Sequence, residues 1–375
     1  MINLQPESAS REILWNLPSP LNSLVMYSLF AISMIVMLWG IWRRMELWSA
    51  GPDSPGRTNK PLKRLLLFFQ YVVFQRGTNR EKQPRLFHSL ILWGFVVLLF
   101  TTTMVAIHHD LGIPIYVGRY YLAVTILSDV FGLGLLIGVG LAYHRRYVAK
   151  PDFLHSTRAD SFMLLLLGAL VIQGFCLEGL RIVVTDDPWR HYSMVGNLFA
   201  AFFWGLSTVA LRWLHFGLWW LHAISVFGFF ALLPYTKFFH VLASSANLYL
   251  REINRPKGAL SFPGDIEKLI EASAESGSDE FNIGVGSVKD LSWKTRLDLD
   301  SCTSCGRCQD VCPAYNSGKV LSPKWMILDT RNHLLALHQK QLLSKGPTIH
   351  SQGPTAALDR LDRSLLKSFL LDPLT

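Results

Sequence analysis

Four closely spaced cysteines are the residues of this sequence with the plainest chemistry. The run SCTSCGRCQDVCPAY has the spacing C-x2-C-x2-C-x3-C-P, and its thiols belong to Cys302, Cys305, Cys308 and Cys312. Cysteine thiolates bind iron strongly, and two-residue spacers let a tight loop reach three corners of a cubane. Zinc sites more often pair two C-x-x-C knuckles about a dozen or more residues apart. The run therefore predicts a [4Fe–4S] cluster, with zinc as the alternative.

Cys312 raises the question of how many clusters the run serves. In two-cluster ferredoxins the fourth cysteine of such a run binds the other cluster. The sequence holds one further cysteine, Cys176, in an apolar stretch where a small buried residue is expected. Three explanations stay open: Cys312 closes a single cluster, another polypeptide supplies the partner run, or the chain is the front part of a longer protein. We favour the last, because the chain stops without an obvious ending.

The elements that position these cysteines are those of a membrane protein. Half of the residues are hydrophobic and 17% are charged, a balance that lipid-spanning segments produce. Crossing about 30 Å of hydrocarbon takes about 20 apolar residues. Five stretches are long enough: 21–42, 88–107, 120–143, 161–180 and 213–238. Two shorter pieces are expected at the membrane surfaces, 197–211 as an outer interfacial or re-entrant helix and 65–74 on the inner side.

Basic residues are unevenly divided among the loops, and this predicts the orientation. The net charge is +9, and Lys and Arg concentrate in the loops after the first and third spans. Because cytoplasmic loops carry the excess of basic residues, we expect the N-terminus outside and the C-terminus inside. The sequence shows no basic helix interleaved with aromatic residues, which argues against nucleic-acid binding. Its N-terminus lacks the pattern of a cleavable signal peptide.

Histidines within spans are candidates for haem ligation. His88 lies at the inner end of the second span, and His222 and His240 lie eighteen residues apart on the fifth segment. At 3.6 residues per turn the latter two share a face about 27 Å apart, and Pro234 is expected to kink the span before His240. His88 and His240 then fall at the same depth, which predicts a bis-histidine haem b with Arg85 and Lys237 near its propionates. The alternative is a set of interfacial histidines with polar neighbours.

A second haem is a candidate near the outer surface. His222 would supply one ligand, and His108 or His109, at the outer end of the second span, would supply the other. His215 lies one heptad before His222, on nearly the same face. The alternative for this pair is an ordinary polar outer loop.

Carboxylates within apolar runs suggest a further site. Asp129 lies in the third span, and Glu178 lies in the fourth with Arg181 one turn beyond it. A quinone site needs an apolar slot and a group that accepts or donates protons, and Glu178 with Arg181 meets that need on the outer side. The alternative is a structural ion pair between the two.

Several phrases of the sequence resemble known membrane redox proteins. Residues 20–245, including FHSLILWGF, LEGLRI and PYTKFFH, resemble the five-span cytochrome b of the nitrate reductase gamma subunit. With DSCTSCGRCQDVCPAYNSGKVLSPKWMILDTR added, the chain resembles membrane-bound iron–sulfur oxidoreductases that pass electrons from electron-transfer flavoprotein to quinone. Heterodisulfide-reductase-like membrane complexes are similar too. The resemblance covers nearly the whole chain.

The resemblance implies haem ligands and further parts. It assigns His88 and His240 to the inner haem and His222 to the outer one. The gamma-subunit pattern places the second outer ligand ten residues after His88, where this chain has Leu98. An outer haem would therefore use a different residue, such as His109. Family members also continue with a second cysteine run and cysteine-rich CCG domains.

These patterns predict the fold class and the domain order. We expect an all-α membrane domain, a five-span transmembrane helix bundle (N-out, C-in), followed by a small cytoplasmic ferredoxin-like [4Fe–4S] segment. The expected parts are an outer N-terminal segment (1–20), the cytochrome b domain (21–243), a cytoplasmic linker (244–292), the [4Fe–4S] segment (293–322) and a helical tail (323–375). Within them, a short helix is predicted near 264–275 and a longer helical stretch at 322–344.

The expected function is electron transfer between a cytoplasmic donor and the quinone pool of a prokaryotic inner membrane. The resemblance implies electron-transfer flavoprotein or another cytoplasmic redox protein as donor, quinone or menaquinone as acceptor, and one or two haems b beside the cluster. A separate Fe–S or CCG-domain subunit and membrane lipid are further expected partners. One alternative is a quinol-oxidising subunit that delivers electrons to a cytoplasmic reductase. The other is a non-catalytic anchor for a soluble Fe–S protein.

Overall fold

The computed structural model describes residues 6–17, 20–77, 82–254, 265–275 and 285–344. In these ranges the protein is helical and contains no β-strand, which confirms the all-α fold class. The helices are α1 (Leu21–Ser49), α2 (Pro61–Phe68), α3 (Lys82–Asp110), α4 (Gly118–Tyr143), α5 (Arg158–Thr185), α6 (Met194–Ala200), α7 (Thr208–Leu232), α8 (His240–Tyr249), α9 (Ile266–Glu275), α10 (Trp293–Asp300), α11 (Arg307–Asp310), α12 (Pro313–Asn316) and α13 (Pro323–Ser344). The part of the predicted tail after residue 344 lies outside the described residues.

Five helical segments are long and apolar enough to cross a membrane, which confirms the predicted number of spans. They are Leu21–Ser49, Lys82–Asp110, Gly118–Ala149, Arg158–Thr185 and Thr208–Tyr235. Each is longer than the apolar stretch that predicted it, because polar and aromatic residues continue the helix beyond the apolar centre. The predicted piece 197–211 corresponds in part to a shorter apolar helix, Met194–Phe203. The predicted piece 65–74 falls on α2 and a π-helical turn, Phe69–Val73.

The chain forms two compact units. Unit 1 comprises Met1–Leu38, Gly77–Pro151 and Ser156–Leu233. Unit 2 comprises Trp39–Arg76, Asp152–His155 and Pro234–Thr375. Each unit thus draws on three separate stretches of sequence.

Glycines bring α3 and α4 close together within unit 1. A Cβ atom on Gly94 would lie 2.6 Å from the Cβ of Leu135, and one on Gly138 would lie 2.9 Å from the Cβ of Leu90. Between helices in lipid, small residues allow the close backbone approach on which packing depends. Because α3 also carries His88, this packing fixes where that side chain lies within unit 1.

The fifth span is interrupted before His240. α7 ends at Leu232, two 3-10 turns follow (Leu233–Tyr235 and Lys237–Phe239), and α8 begins at His240. Pro234 has no backbone N–H to donate and its ring blocks the preceding turn, so the helix cannot continue through it. The prediction of five regular helical turns between His222 and His240 is therefore wrong, and the kink expected at Pro234 is instead a break between two helices.

Arg64 is the main polar anchor of α2 within unit 2. Its side chain is fully buried and makes five hydrogen bonds. Nε donates to the Asn59 carbonyl (2.6 Å), Nη1 to the carbonyls of Tyr249 (2.8 Å) and Arg251 (2.7 Å), and Nη2 to the Gly56 carbonyl (2.8 Å) and the Asn59 side chain (2.9 Å). The guanidinium therefore joins the loop before α2 to the chain after α8, and its fixed fork of donors suits that role.

We expect Arg64→Ala to lower the free energy of unfolding by at least about 2 kcal/mol, because several buried acceptors lose their donor at once. The measurement is the unfolding temperature of the purified protein in detergent. Lys63→Ala is the matched control, since Lys63 is the exposed neighbour on the same helix. Equal unfolding temperatures for the two variants would contradict the anchoring role.

A small apolar core supports the cysteine-containing segment of unit 2. Leu47, Leu291, Leu299 and Leu334 form one buried cluster. Beside it, Arg296 is buried and donates to the carbonyls of Leu291 (2.9 Å) and Leu47 (3.2 Å). The end of α1, the helix α10 and the helix α13 are thereby held as one body around the start of the cysteine run.

Candidate functional site

The cysteine loop follows directly after α10. Ser304 and Gly306 both have positive φ, 58° and 77°, so the chain turns sharply twice between the first and third cysteines. The Ser304 N–H donates to the Sγ of Cys302 at 3.5 Å. Pro313 stands at the first position of α12 and starts a new helix after Cys312. Of the four thiols, those of Cys305 and Cys308 belong to exposed residues, and those of Cys302 and Cys312 to partly buried ones.

The loop rests on another part of unit 2, the segment Asp152–His155. A Cβ atom on Gly306 would collide with the carbonyl oxygen of Phe153. Lys324, at the start of α13, is 1% exposed. Its Nζ donates to the Phe153 carbonyl (3.2 Å) and lies 2.9 Å from Nδ1 of His155. These contacts hold the cysteine loop and the start of α13 against the segment Asp152–His155, and no pattern in the sequence predicted them.

The donor set fits a [4Fe–4S] cluster. Burial raises the pKa of the Cys308 thiol, and the charges of Cys305 and Cys302 act in the same direction. In the described part of the chain no three His, Cys, Asp or Glu side chains are grouped as ligands of a single ion. Iron–sulfur clusters are held by cysteine thiolates, the donor type of this loop. Gly306 supplies a tight turn without a Cβ atom, which would let the backbone approach a bound cluster.

The predicted inner haem ligands lie in different units. His88 is a partly buried residue of α3 in unit 1. His240 begins α8 in unit 2, and its Nδ1 lies 2.5 Å from the Lys237 carbonyl. A bond from Nδ1–H to a carbonyl places the imidazole lone pair on Nε2, the tautomer of a metal-binding histidine. The pairing of His88 with His240 stays a prediction from the sequence.

The outer histidines have local partners within unit 1. Nδ1 of His222 lies 3.3 Å from Oε1 of Gln173 on α5. Nδ1 of His109 lies 2.7 Å from Asp110, and Nδ1 of His108 lies 3.1 Å from the Ile113 carbonyl. His222 and His109 thus contact different residues, and their role as outer haem ligands stays a prediction.

His215 is buried, with 5% of its surface exposed. Its ring packs edge-on against Trp15 with 4.8 Å between centroids. Through this contact His215 packs α7 against the N-terminal segment.

Glu178 and Arg181 form the predicted ion pair, within a larger network. Arg181 Nη2 donates to Glu178 (2.8 Å) and to Asp187 (2.6 Å). Arg11 (3.1 Å) and Ser193 (3.2 Å) also donate to the Glu178 carboxylate. Since both oxygens of Glu178 are engaged, the geometry favours the structural alternative, in which the network ties the N-terminal segment and the loop after α5 to the bundle. The quinone role of the pair stays a prediction.

Asp129, the other carboxylate within a span, has a structural role. Its Oδ2 accepts the backbone N–H of Val195 at 2.6 Å. That N–H is one of the unpaired donors in the first turn of α6, so the carboxylate caps the helix from a neighbouring one.

Comparison with known proteins gives matches to the membrane helices and to the cysteine loop. Residues 84–255 match the family of the nitrate reductase gamma subunit, and residues 293–314 match the 4Fe-4S binding domain. The EtfAB:quinone oxidoreductase of Syntrophomonas wolfei is 33% identical over 83% of this chain and 43% of its own length. The "Probable iron-sulfur-binding oxidoreductase FadF" of Bacillus subtilis is 26% identical over 78% of this chain and 39% of its own length.

A third relative, the "Probable membrane-anchored ferredoxin" of Chromohalobacter salexigens, is 25% identical over 82% of this chain and 40% of its own length. The chain therefore spans about two fifths of the length of these relatives. Comparison with solved structures gives no significant match. With the helical bundle and the cysteine loop in place, the matches show that the chain contains a nitrate reductase gamma subunit domain at residues 84–255, followed by a 4Fe–4S binding domain at residues 293–314.

Proposed function

We propose that this chain is the membrane electron-transfer part of an oxidoreductase that moves electrons between a soluble donor and the quinone pool. The observation that carries the proposal is the union, in one chain, of a gamma-subunit membrane domain with a four-cysteine [4Fe–4S] segment. The name of the Syntrophomonas relative supports electron-transfer flavoprotein as the donor and quinone as the acceptor. Reduction of one quinone to quinol takes two electrons from the donor and two protons from water.

The cofactors would each accept and release one electron, and the residues of this chain would place and insulate them. Cys302, Cys305, Cys308 and Cys312 would supply the thiolates, with Cys312 serving this cluster or a second one. His88 and His240 would hold the inner haem b, and the Lys237 carbonyl orients the His240 ring. His222, with His109, is the weaker candidate pair for an outer haem. The apolar spans exclude water from the haem sites.

We place the protein in the prokaryotic inner membrane, with the N-terminus outside and the [4Fe–4S] segment in the cytoplasm. The support is the concentration of Lys and Arg in the loops after the first and third spans. A cytoplasmic cluster would meet a soluble flavoprotein directly. A cysteine placed in the α4–α5 loop should react with a membrane-impermeant thiol reagent after the cells are opened and not before. Labelling in intact cells would show that this loop lies outside and would contradict the proposed orientation.

We expect His240→Ala to abolish the inner-haem absorbance in reduced-minus-oxidised spectra of membranes, because the iron would lose one axial ligand. His144→Ala is the matched control, since His144 is exposed just after α4. Wild-type haem content in the His240 variant would refute this ligand. Absence of any b-type absorbance in the unmodified protein would leave only the anchor function.

The reverse direction is a second candidate function, and the match to the nitrate reductase gamma subunit favours it. Quinol would then be oxidised in the membrane and electrons would leave through the cluster to a cytoplasmic reductase. The two directions are separated by mixing membranes with reduced electron-transfer flavoprotein or with menaquinol and following haem reduction. Haem reduction by the flavoprotein in the wild-type protein, but not in Cys305→Ser, supports the first direction. Reduction by menaquinol alone supports the second.

A further inference from the structure

Arg331 lies on α13 beside the first cysteine of the run. Its Nη1 donates to the carbonyl of Cys302 at 3.1 Å. Its Nε is buried and has no hydrogen-bond partner. Burial lowers the pKa of this guanidinium, but an arginine side chain stays protonated at any physiological pH. A fixed positive charge with one unused donor therefore lies at the edge of the cysteine loop.

The nearby charges leave that cation uncompensated. Asp300 is a carboxylate whose charge acts on Arg331, and it is already engaged: Arg44 Nη1 (3.0 Å) and Trp48 Nε1 (3.0 Å) both donate to it. Asp300 pairs with Arg44 and not with Arg331, and the three side chains together carry a net charge of +1. Among the described residues Arg331 itself makes no ion pair.

Arg331 is partly buried, and a cation withdrawn from water without a partner is costly, since the desolvation penalty is not repaid. Arg296, in the same unit, shows the ordinary solution, because carbonyls accept from its guanidinium on several sides. Arg331 lacks such a shell. The thiolates of the cysteine loop are the anionic groups that the chain brings to this side, and a cluster bound to them gains a further negative charge when it is reduced.

We propose that Arg331 is a positioning residue that raises the reduction potential of the [4Fe–4S] cluster. It holds the Cys302 carbonyl, and its charge stabilises the reduced, more negative cluster. Net charge and hydrogen bonds around the cluster are the levers by which proteins set such potentials. The inference rests on the cluster assignment and not on the direction of electron flow or on the haem ligands.

The test is a redox titration of the full-length protein in detergent, followed by the EPR signal of the reduced cluster. Arg331→Gln should have a lower midpoint potential, because the glutamine keeps a hydrogen-bond donor but no charge. At the wild-type midpoint potential, clearly less than half of the clusters in this variant should be reduced. Arg331→Lys should return the midpoint towards the wild-type value. Lys319→Gln is the control for a solvent-screened charge, as Lys319 is exposed just after the run, and it should change nothing.

Asp300→Asn should shift the midpoint potential in the opposite direction. It removes the one negative charge of the set, so the midpoint should rise, and this variant tests the proposal even if Arg331→Gln does not retain the cluster. An unchanged midpoint in Arg331→Gln with full signal intensity would overturn the proposal. So would equal shifts in the Gln and Lys variants, or a fall in Asp300→Asn. No cluster signal in the wild-type protein would instead overturn the cluster assignment itself.

Discussion

Cys305→Ser should lose the EPR signal of the reduced cluster and keep the haem absorbance of the membranes. A serine oxygen is a poor substitute for a thiolate on iron, whose clusters are held by cysteine sulfur. Because Cys305 is exposed, its replacement removes little packing and the fold should survive. The predicted haem ligands lie on other helices, so their absorbance should be unaffected. The measurement is EPR and optical spectroscopy on the same membrane sample.

Cys176→Ser is the matched control for that substitution. Cys176 is the fifth cysteine, partly buried in α5 of unit 1, and it should leave both signals intact. Loss of the cluster signal in the Cys176 variant, or its persistence in the Cys305 variant, would contradict the ligand assignment.

Gly306→Ala should lower cluster content several-fold. An alanine at φ 77° costs about 1–2 kcal/mol, and its Cβ would also collide with the Phe153 carbonyl and lie 2.9 Å from Cδ2 of that ring. The loop cannot relieve the collision without moving away from the segment Asp152–His155, to which Lys324 is hydrogen-bonded. Iron and acid-labile sulfide per mole of protein provide the measurement.

Gly318→Ala separates the collision from the backbone cost. Gly318 has nearly the same φ, 79°, but a Cβ there would meet nothing within 4 Å. We expect this variant to keep its cluster and to lose only the backbone cost of about 1–2 kcal/mol of stability. Similar cluster loss in both variants would show that the left-handed backbone, and not the contact with Phe153, is what matters.

The sequence was sufficient for the features that depend on local pattern. Hydropathy predicted five spans because each apolar stretch exceeds the thickness of hydrocarbon. The cysteine spacing predicted the [4Fe–4S] segment, which the domain match confirms. The pairing of Glu178 with Arg181 was visible because residues three apart meet on one helix face. Helix α13 was predicted at 322–344 and is observed at Pro323–Ser344.

Contacts between distant parts of the chain could not be predicted in this way. Lys324 and Phe153 are 171 residues apart in sequence, and Arg11 and Glu178 are 167 apart. No periodicity links such pairs, because they meet only through the packing of whole helices. The break before His240 was underestimated for a different reason. Pro234 was expected to kink the helix, whereas the backbone passes through two 3-10 turns before α8 begins.

The composition of unit 2 has a consequence for the order of events during synthesis. Arg64 can find the carbonyls of Tyr249 and Arg251 only after residue 251 has been made, and the apolar cluster around Leu47 is complete only after Leu334 has been made. The C-terminal end of α1 must therefore wait through most of translation before its buried contacts can form. The last apolar segment ends at Tyr235 and the fourth cysteine of the run is residue 312. All five apolar segments are thus synthesised before the full set of cysteine ligands exists.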